Sequence, residues 1–398
     1  MNDVAKLLKR AQKDYAKGNR RGARNKYEQA LSVAPRHLDA NYLLGTLLAE
    51  SGELELAEVH LKTALAVKPD SGFVLMNLGS LCRLSGRERQ ALEYYERAEP
   101  LLHSEPAILV NLGSLECKLG HYAAAQMHLT RYLIGRPDDN EARVQLGDAL
   151  RCQGRLDDAA LAYRQVITAS GSTPTLEYLL SCCTGEAPDC APESYVRGLF
   201  DNYAKNFDQH LMGELECRIP EAIFQTVLDC AGEQRFGRAA DLGCGTGLTG
   251  AMFRSRCDWL AGVDLSPKMV ELARTKQVYD LLEVADVCAW TNAQQEKFEL
   301  MLAGDVAIYL GNLAPLLTAV SGKLSSDGLF AFSAEDADHN YVLKPSGRYA
   351  HNRDWVERQA TLHGLTVLRI KPTPLRKESG QWVDGYVAVL GLVHSPLR

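Results

Sequence analysis

A glycine-rich stretch at residues 241–250, DLGCGTGLTG, has the residue types and spacing of a cofactor-binding loop. Its second half satisfies the pattern G-x-G-x-x-G, which is typical of dinucleotide-binding loops. Glycines let a ligand approach the backbone closely, and S-adenosylmethionine (SAM) needs that approach as much as a dinucleotide does. The glycines alone therefore leave both classes of cofactor open.

Three acidic residues near the ends of strand-like runs help to distinguish these cofactors. Asp241 precedes the loop glycines, Asp264 ends the run WLAGVDL, and Asp286 lies near the end of LLEVADV. An acid after the second strand hydrogen-bonds a ribose in both classes. A carboxylate in front of the glycines would repel a pyrophosphate, whereas it attracts the ammonium and sulfonium groups of SAM. The sequence therefore favours SAM.

The elements that position these residues are predicted by the pattern of apolar runs. From Arg238 onward, short apolar runs alternate with helical stretches, which is typical of a doubly wound parallel sheet. Ligands bind such sheets at the carboxyl ends of the strands, where the acids and the glycine loop stand. Two further strand-like runs, LTVLRIKP and GYVAVLGLV, close the chain, and we expect them to form an antiparallel hairpin.

The first half of the chain repeats with a period of 34 residues. Each unit has the pattern of two amphipathic helices separated by a glycine. A second glycine position and an alanine position place small residues where the two helices of a unit can pack closely. The turn glycines are Gly18, Gly52, Gly86, Gly120 and Gly154. The second glycine series is Gly45, Gly79, Gly113 and Gly147.

This period and these landmarks resemble the tetratricopeptide repeat. The resemblance implies a superhelix whose concave face is lined by the first helix of each unit. One position of that helix carries an amide in three successive repeats, at Asn77, Asn111 and Gln145. Such amides suit hydrogen bonds to an extended peptide and equally suit bonds to a neighbouring helix, so both roles stay open.

The segment after the repeats resembles part of a set of small methyltransferases. Its sequence, YVRGLFDNYAKNFDQHL, is helical in period and matches the pattern FD-x-YA-x-x-FD-x-H-L. In those enzymes this helix precedes the catalytic core and folds over the cofactor, so the resemblance implies that Tyr203 covers SAM. A helix that buries its aromatic stripe in an ordinary core has the same pattern, and this alternative stays open.

Most of the chain resembles the predicted tetratricopeptide-repeat methyltransferases, on blocks such as FGRAADLGCGTGLTG and PSGRYAHNRDWVE. The resemblance implies an N-terminal α-superhelix followed by an α/β domain, a Rossmann-like class I methyltransferase sheet. The expected domains are five repeats at residues 1–172, a capping helix and linker at 173–193, and a methyltransferase domain with an N-terminal lid helix at 194–398. The residues expected at SAM are Asp241, Gly243, Gly245, Gly247, Asp264, Leu265, Asp286, Val287, Asp305 and Tyr203.

The residues of the methyl acceptor site are predicted from the later strand ends and loops. No N-P-P-Y or D-P-P-Y sequence follows the fourth strand, which argues against methylation of adenine or of an amide nitrogen. The candidate catalytic residues are Tyr309, Tyr349 and His351, although a base is needed only if the acceptor arrives protonated. His351 suits a general base because its ordinary pKa is near neutral, and it equally suits a bond to a backbone carbonyl.

Arg348 is the candidate for binding the substrate in the same loop. Its guanidinium suits a carboxylate of the acceptor, and it equally suits a pair with Glu335 or Asp336. The sequence contains no residue cluster with metal-ligand spacing, so we expect no metal.

Composition narrows the partners and the compartment. The net charge of −6 argues against a nucleic-acid partner, and no apolar run reaches the length that a membrane span requires. Eleven cysteines without a C-x-x-C pair fit a reducing compartment, so we expect a cytoplasmic protein.

Three functions fit the sequence. The first is a SAM-dependent methyltransferase whose repeats recruit a peptide or protein acceptor. The second is a small-molecule methyltransferase whose repeats mediate assembly or docking to a partner. The third is a scaffold that binds SAM without turnover.

Overall fold

The computed structural model describes residues 2–203, 207–378 and 380–393. The chain divides into two units, Met1–Ser170 and Gly171–Arg398. None of the helices in the described ranges is long and apolar enough to cross a membrane.

The first unit is an array of helices that pack in consecutive pairs. The turn glycines of the repeats have φ between 73° and 82°, a left-handed conformation that glycine adopts readily. This explains why glycine recurs between the two helices of every pair. The described helices of this unit are α1 (Asn2–Ala16), α2 (Arg20–Val33), α3 (Leu38–Glu50), α4 (Leu54–Val67), α5 (Gly72–Leu84), α6 (Glu88–Ala98), α7 (Ala107–Lys118), α8 (Tyr122–Gly135), α9 (Asn140–Cys152) and α10 (Leu156–Ser170).

The second glycine series allows close packing within each pair. A Cβ atom at Gly79 would lie 2.5 Å from the ring of Tyr95, and one at Gly147 would lie 2.6 Å from the ring of Tyr163. Both distances are too short for a real contact. A larger residue would therefore push the two helices apart, which explains why glycine stands at this position of the repeat.

The second unit is built on one sheet with helices around it. Its helices are α11 (Pro174–Thr184), α12 (Glu193–Tyr203), α13 (Phe207–Gln209), α14 (Ile219–Ala231), α15 (Leu248–Phe253), α16 (Pro267–Thr275), α17 (Val287–Ala293), α18 (Ala314–Lys323) and α19 (Arg353–Leu362). Its strands are β1 (Phe236–Leu242), β2 (Cys257–Asp264), β3 (Leu281–Val284), β4 (Phe298–Ala303), β5 (Leu324–Asp336), β6 (Tyr341–Leu343), β7 (Tyr349–His351), β8 (Leu365–Glu378) and β9 (Gln381–Leu392).

The strand order is β3-β2-β1-β4-β5, and these strands are parallel. β9 pairs antiparallel with both β5 and β8, and the short β7 pairs in parallel with the end of β5. The order reverses between β1 and β4, which is where open α/β sheets bind ligands. The fold predicted from the sequence is confirmed, including its C-terminal antiparallel hairpin.

The two faces of the sheet are covered by separate apolar clusters, so the strands are buried on both sides. This explains why β1 and β4 read as nearly continuous apolar runs in the sequence. Polar side chains gather instead at the carboxyl ends of the strands. Asp241 there lies beside Gly262 of β2 and Leu302 of β4.

The helix α11 packs within the second unit. Thr173 caps its start by accepting a hydrogen bond from the backbone of Leu176. The ring of Tyr178 lies 4.9 Å from that of Tyr195, and its hydroxyl donates to the carbonyl of Gly347 at 3.1 Å. The segment predicted as cap and linker therefore contacts the loop before β7.

Candidate active site

The glycine loop between β1 and α15 has the backbone that the motif requires. Gly243, Gly245 and Gly247 have φ of 70°, 52° and 91°, in the left-handed region that favours glycine. A Cβ atom at Gly243 would overlap the side chain of Val306, whereas one at Gly245 would meet no atom within 4 Å. Gly245 therefore leaves room for a ligand to approach the backbone.

Asp241 lies beneath this loop with 1% of its surface exposed. Its Oδ2 accepts a hydrogen bond from the hydroxyl of Tyr279 at 2.7 Å. Burial raises the pKa of Asp241 to about 7, against the opposing effect of bonds from Tyr279 and the backbone of Gly250. We expected this carboxylate to face a bound cation at the mouth of the loop. The structure instead turns it inward, where it holds the loop in place.

Asp264, at the end of β2, joins the two loops that follow β1 and β2. Its Oδ2 accepts from the backbone N–H of Gly245 at 2.9 Å, and its Oδ1 accepts from that of Ser266 at 2.8 Å. Burial raises the pKa of Asp264 and outweighs the lowering effect of these bonds. The carboxylate therefore fixes the glycine that leaves space for a ligand.

The other predicted cofactor residues lie around the same edge of the sheet. Asp286 caps the start of α17 by accepting from the backbone of Ala289 at 2.8 Å, and Val287 is the buried first residue of that helix. Leu265 packs against the buried cluster that contains Tyr309. These positions follow β2 and β3, as the sequence predicted.

The segment predicted to cover the cofactor is tied to the loops by two aspartates. Asp201 accepts a hydrogen bond from the hydroxyl of Ser266 at 2.6 Å. Asp208 accepts one from the hydroxyl of Thr246 and pairs with the ammonium of Lys276 at 2.6 Å. Both aspartates belong to the repeated FD dipeptide of this segment, but no local spacing indicates their partners on the two loops.

Aromatic rings connect this segment to Tyr309. Phe200 lies edge-on to Phe207 at 6.0 Å and to Tyr309 at 5.7 Å. Tyr309 is buried, and burial raises the pKa of its hydroxyl. The side chain of Tyr203 lies outside the described residues.

We expected His351 and Tyr349 to take part in catalysis. In the structure both side chains bond backbone carbonyl oxygens. Nε2 of His351 lies 2.7 Å from the carbonyl oxygen of Leu310 and 3.2 Å from that of Gly311, so this nitrogen carries the proton. Burial lowers the pKa of His351 to about 4, and its buried Nδ1 has no hydrogen-bond partner among the described residues. The hydroxyl of Tyr349 donates to the carbonyl of Pro188 at 2.7 Å. The alternative of a histidine bonded to backbone carbonyls is the one that the structure contains.

A group of charged side chains lies at the carboxyl ends of β4 and β5. Arg376, only 1% exposed, contacts Glu335, lies 3.1 Å from Asp305 and lies 3.0 Å from Glu378. Lys344 pairs with the second oxygen of Glu335 at 2.9 Å. No local pattern identifies Lys344 and Glu378, because the first is brought to Glu335 by the turn between β6 and β7 and the second is brought to Arg376 by the end of β8.

Arg348 joins the same group through Glu378, and its positive charge lies close enough to Tyr309 to lower the pKa of that hydroxyl against the larger effect of burial. The alternative of a pair with Glu335 or Asp336 is not the one in the structure: Glu335 pairs with Arg376 and Lys344, and Asp336 contacts Arg353. Arg348 therefore links the charged group to the aromatic cover.

The three amides at the equivalent repeat position are Asn77, Asn111 and Gln145, and one of them bonds a neighbouring helix pair of the array. Nδ2 of Asn77 donates to the hydroxyl of Thr46 on the preceding pair at 2.8 Å. Asn111 and Gln145 are half-buried, and the buried Oε1 of Gln145 has no hydrogen-bond partner among the described residues. The three amides therefore have different surroundings.

Comparison with known families matches both units. Residues 240–332 match the methyltransferase domain family, and residues 14–81 and 110–174 match tetratricopeptide repeat families. The chain combines tetratricopeptide repeats with a methyltransferase domain. The matched methyltransferase domain contains the glycine loop and the acids at the ends of β1 and β2 and after β3, and the match confirms SAM as the predicted type of cofactor.

Curated relatives resemble either the repeats or the methyltransferase domain. Malonyl-[acyl-carrier protein] O-methyltransferase of Erwinia pyrifoliae is 29% identical over 103 residues, covering 25% of this chain and 37% of its own length. Trans-aconitate 2-methyltransferase of Methylobacterium radiotolerans is 33% identical over 100 residues, covering 25% and 38%. Tetratricopeptide repeat protein 7B of Homo sapiens is 31% identical over 102 residues, covering 26% and 12%. The chain thus spans less than two fifths of each of these relatives.

Solved structures also match one unit at a time. The SAM-bound magnesium protoporphyrin IX methyltransferase of Synechocystis is 14% identical with a TM-score of 0.39, covering 50% of this chain and 95% of that one. The tetratricopeptide repeat protein YrrB is 21% identical with a TM-score of 0.38, covering 39% and 81%.

Proposed function

We propose that the chain is a SAM-dependent methyltransferase that modifies a peptide or protein recruited by its tetratricopeptide repeats. The observation that carries the proposal is the glycine loop of the methyltransferase domain. Gly245 there leaves open space beside the backbone, and Asp264 fixes its amide. A peptide acceptor is the simplest reason for one chain to join this loop to an array that suits peptide binding.

The residues present fit SAM. Asp264, at the end of β2, is the candidate for the ribose hydroxyls, which the acid at this position binds in related folds, and Gly245 leaves room for the ligand against the loop. Asp286, at the end of the next strand, is the candidate for the adenine amino group. SAM supplies a methyl group on a positively charged sulfur. The contribution of the chain is then to position donor and acceptor in line.

The array supports the recruitment of a peptide through two of its three amides. Asn77 is already bonded to Thr46 and serves the packing of the helices. Gln145 is half-buried and its carbonyl oxygen has no partner among the described residues; a rotation of its amide toward the groove would let a peptide N–H satisfy that oxygen. Asn111 and Gln145 are therefore the residues that we assign to the peptide.

The relatives named above support both a carrier-bound and a free acceptor. One acts, by its name, on malonyl-[acyl-carrier protein], and another acts on trans-aconitate. The first favours an acceptor attached to a protein. The second keeps a small-molecule acceptor as the competing function.

Labelling distinguishes these functions. The full chain is incubated with methyl-labelled SAM and a bacterial cell extract, and the protein and small-molecule fractions are counted separately. We expect label in the protein fraction and about a tenfold loss in the double variant Asn111→Ala/Gln145→Ala. The control is Gln29→Ala, an exposed amide on α2, which is expected to label like the parent.

Two outcomes contradict the proposal. Label found only in small molecules would transfer the assignment to the competing function. Thermal stabilisation by S-adenosylhomocysteine without label in either fraction would indicate a scaffold that binds the cofactor without turnover.

A further inference from the structure

The charged side chains beyond β4 and β5 form a balanced group, which we name the Arg376 cluster. It contains three carboxylates and three cations. Its members are Asp305, Glu335, Lys344, Arg348, Arg376 and Glu378.

The cluster has a buried centre and exposed outer cations. The side chains of Arg376 and Glu335 are 1% and 3% exposed, whereas those of Lys344 and Arg348 are 36% and 25% exposed. Lys344 pairs with Glu335 and Arg348 pairs with Glu378, and Arg376 contacts both of these carboxylates. Either outer cation can therefore turn to a ligand without leaving its carboxylate unpaired, which a buried charge requires.

The position of Asp305 sets the charge that an acceptor would meet. Val306, the next residue, packs against Gly243, so Asp305 lies beside the glycine loop. Its side chain is partly exposed, and its ion-pair partner among the described residues is Arg376. If Asp305 held the cationic end of the cofactor, the other members would carry three positive charges against two negative ones, and an anionic acceptor would balance them.

The candidate bases do not suit an acceptor that must lose a proton. His351 bonds backbone carbonyls and its pKa is lowered to about 4, and burial raises the pKa values of Tyr309 and Tyr349. The carboxylates of the cluster are all paired with cations. An amine or a hydroxyl must shed a proton during or after methyl transfer, whereas a carboxylate at neutral pH has none to lose.

We propose that the methyl acceptor is a carboxylate held by Lys344 and Arg348. One carboxylate oxygen donates an electron pair to the methyl carbon and forms the new C–O bond. The C–S bond breaks, and its electron pair stays on sulfur as a neutral thioether. The products are a methyl ester and S-adenosylhomocysteine, and no proton is released. This inference rests on the proposed methyl transfer.

The stability of the product toward alkali tests the acceptor class. Material labelled by the full chain from methyl-labelled SAM and a bacterial cell extract is treated with alkali, and volatile methanol is collected. A carboxyl methyl ester releases its label, whereas N-methyl and ether products keep it. Label that resists alkali would overturn the carboxylate while leaving methyl transfer intact. No label in any fraction would overturn both.

Two variants test the assigned cations. In Lys344→Met and in Arg348→Met, the amount of extract needed for half-maximal labelling is expected to rise about tenfold. The calorimetric affinity for S-adenosylhomocysteine is expected to stay close to that of the parent. The matched control is Lys371→Met on β8, which removes an exposed ion pair with Asp229 of α14. Unchanged half-saturation in both variants would refute the assignment, and an equal loss of cofactor affinity would indicate a structural role instead.

Discussion

Replacing Arg376 with methionine tests how much the buried ion pairs at the centre of the Arg376 cluster contribute to the stability of the second unit. The variant leaves Glu335 buried with Lys344 alone, and it leaves Asp305 and Glu378 without their shared partner. Removing one member of a buried ion pair costs about 3–5 kcal/mol. Because Lys344 still neutralises Glu335 at 2.9 Å, we expect the lower end, about 3 kcal/mol.

Tryptophan fluorescence measures this loss in the full chain without separating the units. All four tryptophans, at positions 259, 290, 355 and 382, belong to the second unit. Their emission during urea unfolding therefore reports the unit that contains Arg376. For a unit of this size the loss corresponds to a fall in melting temperature of about 6–12 °C. Arg235→Met, which removes an exposed pair with Asp258, is expected to change the free energy of unfolding by less than about 0.5 kcal/mol.

The pH dependence of the variant gives an independent check. Burial pushes the pKa of Glu335 upward, but Arg376 and Lys344 outweigh it and hold the pKa below its ordinary value. A lowered pKa stabilises the folded state above the ordinary pKa, and that stabilisation is lost as pH falls through the folded value. Without Arg376, burial raises the pKa of Glu335, so protonation of Glu335 removes the cost of its buried negative charge in the variant. The destabilisation is expected to shrink as pH falls from about 7 to about 4.5. A destabilisation below 1 kcal/mol at neutral pH, or one that is independent of pH, would refute this reasoning.

Two further substitutions probe the packing of the repeats and the glycine loop. Gly79→Ala forces a methyl group into the ring of Tyr95 and is expected to destabilise the array by about 1–3 kcal/mol, measured by circular dichroism during unfolding of the full chain. Gly135→Ala, where an added Cβ meets nothing within 4 Å, is the control; equal losses in both would contradict the packing argument. Burial raises the pKa of Asp241 to about 7, so this carboxyl group stabilises the folded state at low pH and that stabilisation is lost as pH rises through 7. Asp241→Asn removes this pH-dependent contribution to the stability that tryptophan fluorescence measures. Between about pH 4 and pH 8, the free energy of unfolding of the variant is expected to fall by on the order of 2–4 kcal/mol less than that of the parent. Parallel stability profiles of parent and variant would contradict a raised pKa at Asp241.

The sequence predicted best what depends on local backbone geometry. The turn glycine of each repeat is set by a left-handed φ that few other residues adopt, so its spacing alone indicated the helix pairs. The strands β1 and β4 were recognisable because burial on both faces demands apolar residues in succession. Gly243, Gly245 and Gly247 combined both signals, since they follow a buried strand and have positive φ.

Side-chain partners across the sheet were beyond the sequence. Asp241 faces inward because Tyr279, far along the chain, donates to it, and no local spacing announces that bond. Arg348 contacts Glu378 because the C-terminal hairpin brings β8 to the loop before β7. In both cases the residue type was identified and its partner was not, because partner choice follows from tertiary packing.

The repeated FD dipeptide at residues 200–201 and 207–208 contributes both an aromatic contact and two hydrogen bonds to the loops after β1 and β2. Its phenylalanines, Phe200 and Phe207, lie against one another, while its aspartates bond the loops that follow β2 and β1 respectively. Asp208 also pairs with Lys276 beyond α16, so one segment connects both loops that carry the predicted cofactor residues. A ligand that orders these loops must therefore also favour the position of this segment, because the same hydrogen bonds stabilise both. The aromatic pair then connects this cover to Tyr309, and Tyr309 connects it to the Arg376 cluster where we place the acceptor.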